Sequence, residues 1–144
     1  MASSTSPAND EAVADKTIFD KGLKIRYKVA GPAYVGTALS GGSSDFVWPM
    51  QELVTAACWG SVSSRPGLER KQRSRLNIAM LCALNRGSKL AAHVRGAVNN
   101  GASEVEIRET ILQAAIYCGM PAGIEGTKIA EKVILELRGG ILPL

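Results

Sequence analysis

The single histidine of this chain, His93, stands in the stretch "SKLAAHVRGAVNNG", with no second histidine and no paired cysteine beside it. An imidazole titrating near neutrality is the natural proton donor of a site that lacks a metal or prosthetic group. By helical spacing His93 falls at the edge of an apolar stripe of Leu90, Val94 and Ala97. Position alone therefore favours a core histidine satisfied by a backbone carbonyl, with proton transfer as the other reading. Arg73 lies where a helix passes from solvated to buried; a guanidinium there either grips a carboxylate bidentately or faces water and pairs with a glutamate. Glu52, beside Leu53 and Val54, is either a second proton-transfer group or the partner of Arg73.

Other chemistries are excluded by what surrounds these residues. Cys58, Cys82 and Cys118 are too far apart for a zinc knuckle or a CxxC redox pair. They read as three buried thiols in a reducing compartment. The charge of +4 arises from 17 basic and 13 acidic residues, with the basic ones concentrated in "LERKQRSRL". That cluster carries no interleaved aromatic platform, so nucleic acid is not the expected partner. The start, "MASSTSPANDEAVAD", has no apolar core of signal-peptide length, and no later apolar run approaches the roughly 18 residues that span a bilayer. A soluble, cytoplasmic protein is expected.

The elements that must position these side chains are helical. A hydrophobic content of 46% supports one ordinary core, and 15 glycines punctuate runs of Ala, Leu, Ile and Val. Residues 1–14 read as a mobile tail and residues 15–144 as one all-α domain of about six helices. Asp15 caps the first helix, which is weakened by Gly22 and ended by Gly31 and Pro32. "PAYVGTALSGGSS" reads as a turn-rich connection with a hinge at Gly41 and Gly42. A second helix carries Pro49 in its first turn and ends near Gly60. The third starts at Glu69 and is apolar all round from Ile78 to Leu84, which suits burial between neighbours or at a subunit interface. Gly87 breaks it and Ser88 caps the next, which stops at Asn99-Asn100-Gly101. Ser103 with Glu106 forms a capping box, Gly119 ends that helix, and Pro121 opens the last.

Three stretches carry a resemblance. "KGLKIRYKVAGPAYV", "CWGSVSSRPGLERKQRSRLNIAMLCALNR" and "HVRGAVNNGASEVEIRETILQAAIYCGMPA" are similar, in order, to the carboxymuconolactone decarboxylase family within the AhpD-like superfamily, and most to its 4-carboxymuconolactone decarboxylase branch. The resemblance implies an all-helical fold that assembles as a trimer or hexamer with active sites near subunit contacts. It implies decarboxylation without a cofactor or metal. In a butenolide bearing a carboxylate on its γ carbon, departing CO2 leaves an electron pair that delocalises through the double bond onto the lactone oxygen. A cation and an acid then suffice, and Arg73 and His93 match the family positions for those two roles.

Further site residues follow from the same motifs. Trp59 of "WG" and Tyr117 of Y-x-G-x-P become substrate-binding candidates, as do Ser61, Ser63 and Lys89. The last three depart from the family pattern. Ser61 and Ser63 replace an acidic residue and a tryptophan, and Lys89 replaces a glutamate, which suits a wider pocket and a larger carboxylated lactone. The redox branch carries Cys-x-x-Cys where this chain has Arg86 and Lys89, so peroxidase chemistry is not expected. Two alternatives stand beside the lyase: a non-redox isomerase, dehydratase or cyclase of polyketide-like metabolism on the same scaffold, and a non-catalytic oligomeric binding protein.

Overall fold

Proline at the start and glycine at the end punctuate the first helices as their backbone chemistry requires. In the computed structural model, which describes residues 7–40 and 44–140 and gives residues 7–15 as backbone alone, every regular element of the described residues is helical. Helix α1 (Pro7–Ala30) stops at Gly31, whose φ of 88° is left-handed, and α2 (Pro32–Ser40) follows at once. Two expectations change here. Helical backbone begins at Pro7 and not at Asp15, and "PAYVGTALS" is a helix of its own and not a turn-rich connection, because Pro32 opens it and its Ala, Val and Leu residues sustain it. Residues 1–6 of the expected tail and the Gly41–Gly42 hinge lie outside the described residues.

Pro49 occupies the first turn of α3 (Trp48–Leu53), which runs directly into a π-helical segment (Val54–Val62). Its widened turn is seen in the bond from the Ser63 backbone N–H to the Cys58 carbonyl, 2.9 Å. Ile25, Val29 and Trp59 form the small core between α1 and this segment, with Val54 against it. Gly22 makes that core possible. A Cβ on Gly22 would lie 2.0 Å from the Thr55 carbonyl oxygen, and one on Gly60 would lie 2.4 Å from the Ile18 carbonyl oxygen. The glycine that weakens α1 as an isolated helix is thus the one that lets two backbones touch.

By its contacts the chain divides into two compact units, Met1–Gly67 and Leu68–Leu144, where the sequence suggests one domain. The second holds α4 (Arg70–Ala83), α5 (Gly87–Asn99), α6 (Glu104–Cys118) and α7 (Met120–Leu137). These four pack in the cyclic order α4, α5, α7, α6 around Ile78, Cys82, Leu90, Val94, Ile107, Ile111 and Val133. The expected capping box is present: the Glu106 N–H donates to Ser103 Oγ at 3.1 Å and the Ser103 N–H to Glu106 Oε2 at 2.8 Å. That backbone N–H, and next Lys71, hold the Glu106 carboxyl below its ordinary range. Arg86 and not Ser88 is the N-cap of α5, since Gly87 already lies in the helix. Gly119, at φ 110°, is the whole connection between α6 and α7.

The fully apolar turn of α4 has two fates. Ile78 and Cys82 are buried, whereas Leu76, Met80 and Leu84 are 50%, 53% and 64% exposed. No helix among the described residues is long and apolar enough to cross a membrane. Gly22→Ala is expected to destabilise the protein by about 3 kcal/mol or to prevent folding, because backbone has to move. Gly36→Ala, with nothing within 4 Å of the added carbon, is expected to be stabilising by about 0.5 kcal/mol. Urea unfolding of the two variants measures both.

Candidate active site

Helix α5 presents its one imidazole to α4. His93 is half-buried, and the side-chain amide nitrogen of Asn77 on α4 lies 3.5 Å from its Nδ1. In this arrangement Nδ1 is the acceptor, and a neutral ring carries its proton on Nε2. An amide turned over would instead accept from Nδ1–H, so Asn77 can serve the charged ring as well. Burial pushes the His93 imidazole below its ordinary value of 6.5, and the charge of Lys89, one turn earlier on α5, pushes it the same way. At neutral pH the resting imidazole is therefore neutral.

Arg73 lies one turn before Asn77 on the same face of α4, is only partly exposed, and has its Nε buried. Two further bonds tie down this helix: Arg75 Nε donates to Thr110 Oγ1 at 3.1 Å, and Asn100 Nδ2 donates to Ser74 Oγ at 2.9 Å. Lys89 is exposed, and Tyr117, at the end of α6, is 81% exposed. The second unit thus brings His93 and Lys89 into electrostatic contact and adds Asn77, which sequence reading did not single out. Its signal was the spacing of four from Arg73, which places both on one side of the helix.

The first unit carries the other candidates. Trp59 is buried in the core beside Ile25 and Val29. Ser61 is exposed but its Oγ donates back to the Ala56 carbonyl at 3.3 Å. Ser63 is half-buried and hydrogen-bonds the Cys58 thiol, which burial pushes upward in pKa despite that bond. Glu52 is exposed; its neighbour Gln51 is the residue that turns inward, accepting from Arg26 at 2.9 Å. The expectation of three buried thiols is corrected here. Cys82 is buried, while Cys58 and Cys118 are exposed, because each of those two sits on an outer helix face.

A groove of about 300 Å³ between α6 and α7 is lined by Ile107, Ile111, Ala130 and Ile134, with Arg108 and Arg138 among its charged residues. It contains none of the candidate residues.

Comparison with known proteins adds the chemical context. Residues 49–132 match the family model described as the carboxymuconolactone decarboxylase family. The chain is 43% identical, over 93% of its length and 92% of the relative's, to a nitrosuccinic acid decarboxylase of Metarhizium robertsii. It is 38% identical, over 90% of its length and 94% of the relative's, to a 4-carboxymuconolactone decarboxylase of Acinetobacter baylyi.

The lowered pKa of His93 has a testable sign. Below pH 6.5 the unfolded chain protonates this imidazole before the folded chain does, so acid favours unfolding. Thermal melts from about pH 7.5 to about pH 5 are expected to show Tm falling over this window. His93→Gln should flatten the fall, and Lys89→Met, which removes one of its two causes and lets the folded-state value rise back toward 6.5, should make it shallower and end it at a higher pH.

Proposed function

The chain belongs to the carboxymuconolactone decarboxylase family, and from that premise we propose that it removes CO2 from a small carboxylated substrate whose departing electron pair is taken up by an adjacent acceptor. The observation that carries this reading is the match, over nine-tenths of the chain, to two relatives that are both decarboxylases. The candidate substrates are 4-carboxymuconolactone or a larger carboxylated lactone, and nitrosuccinate. In the first the acceptor is the conjugated lactone, in the second the nitro group. Both acceptors store the electron pair on oxygen, which is why neither needs a metal or an organic cofactor to act as electron sink.

In this mechanism the Arg73 guanidinium binds the carboxylate or the oxyanion that forms as the C–C bond breaks. His93 supplies the proton that ends on carbon. Its resting ring is neutral, and the negative charge of the bound substrate raises its pKa, offsetting burial and Lys89 so that the imidazolium forms in the complex. CO2 leaves, the electron pair passes to the acceptor, and the pair returns to bind the proton from His93. Glu52 is the second proton-transfer candidate, and Trp59, Ser61, Ser63, Lys89 and Tyr117 are proposed to shape the substrate site.

Assembly as a trimer or hexamer belongs to the same reading. Two exposed apolar stripes support it: Leu76 and Met80 on α4 with Leu84 at its C-cap, and Leu112 and Ile116 on α6 continued by Met120 and Ile124 on α7. Light scattering on the purified protein is expected to give three or six times the chain mass of 15.2 kDa. A monomer would refute this assignment.

The reaction is tested by incubating pure protein with 4-carboxymuconolactone and, separately, with nitrosuccinate, following CO2 release. Turnover of one of them is expected, and no CO2 from either overturns the proposal. His93→Ala should lower kcat by about 100-fold or more while leaving the helical circular dichroism intact. An unchanged rate removes His93 from the mechanism.

A further inference from the structure

Asn77 is the side chain beside His93 to which the reaction just described gives no part. Its amide nitrogen lies 3.5 Å from Nδ1 of the ring, and both groups rise from anchored helix faces. On α4 the next residue, Ile78, is fully buried, and Ser74, nearly one turn earlier, is buried and held by Asn100. On α5 the ring stands between Leu90 and Val94, which are 1% and 0% exposed. A helix pinned on both sides of a residue fixes where its side chain starts, so the packing of α4 on α5 sets the approach of amide to ring.

The charges around this pair explain why an amide suits the position. Lys89 acts on the ring from α5 itself, and Arg73 stands one turn before Asn77 on α4. From α7 the carboxylate of Glu136 pairs with Arg95, which is two residues beyond His93 and so about 200° around α5 from it. An aspartate at position 77 would have nearly the same shape as the amide, but its charge would hold the ring protonated before any substrate arrived. A leucine would take a partner away from Nδ1. The amide does neither: its NH2 donates to a bare Nδ1, and its oxygen accepts from Nδ1–H.

We propose that Asn77 is the positioning residue of the proton transfer: its amide holds the Nδ1 edge of His93 in both charge states and so makes Nε2 the nitrogen that hands its proton to the substrate. Transfer to substrate rests on the decarboxylation reading above; the hold on Nδ1 does not. Charging the resting ring adds a proton at Nδ1, and the amide turns over to present its oxygen. The Nε2–H bond then breaks as the C–H bond of the product forms, and its electron pair stays on Nε2. The ring left behind is neutral, with its proton on Nδ1 and bonded to Asn77. A proton from solvent at Nε2 restores the charged ring.

His93 is the only histidine of the chain, so its ring resonances are assigned without mutation. In protein carrying ¹⁵N-labelled histidine, Asn77→Leu is expected to move the Nδ1 resonance of the neutral ring to that of a nitrogen without this hydrogen bond. Asn77→Asp should raise the pH at which the ring titrates by about one unit or more. An Nδ1 resonance identical in Asn77→Leu and the wild-type protein overturns the proposal, as does a titration that Asn77→Asp leaves in place. With a substrate that is turned over, Asn77→Leu should lower kcat about 10-fold or more and leave KM nearly unchanged; an unchanged kcat refutes the role. The resonances are read without substrate, so absence of CO2 release in the earlier assay and failure of the hold on Nδ1 are distinct results.

Discussion

Backbone lies against backbone where α1 crosses the π-helical segment, and the first unit is organised by that approach. At Gly22 and Gly60 there is no room for a side-chain carbon, so the residues on either side of the crossing are brought close enough to form a core from only Ile25, Val29 and Trp59. The same closeness lets Arg26 reach Thr55 and Gln51. In the second unit α7 uses the same device. A Cβ on Gly123 would lie 2.4 Å from the Ala115 Cβ, and one on Gly126 would lie 2.6 Å from the Cys82 sulfur. A chain with 5% aromatic residues gains its contact density from short distances and not from large side chains.

Close packing then sets the electrostatics. Cations on the outer faces of the second unit meet carboxylates in water, where such pairs contribute little. The two basic groups drawn inward are treated differently. His93 is discharged by burial and by Lys89, so its protonation state responds to whatever charge comes near it. Arg26 cannot be discharged, and its surroundings are polar but neutral. One group is tunable and the other is fixed.

Much of this was legible residue by residue. Pro49, Gly31, the Ser103–Glu106 box, Gly119 and Pro121 act locally, through missing N–H groups, left-handed φ or short side-chain bonds, and each stands where its chemistry placed it. His93 also lies at the border of the buried stripe, as its spacing from Leu90 and Val94 indicates. What escaped were features defined across space. A π-helical turn has no signature in a pattern read at 3.6 residues per turn. Gly22 weakens a helix considered alone, and only the partner backbone shows its use. Arg26 sits in "KIRYK", which reads as a solvated basic run until one of its three cations is found buried. Exposed Cys58 and Cys118 were hidden by apolar neighbours whose own burial did not extend to them.

The π-helical segment has an evolutionary side. Because its turns are wider by about one residue than those of an α-helix, losing one residue from a turn would restore ordinary winding there and leave the residues downstream near their present side of the axis. Thr55 lies early in the segment and Ser61 near its end, so a deletion between them would leave the grip on Arg26 in place. The segment can thus absorb the loss of a residue that would rotate everything beyond it in an α-helix of constant winding.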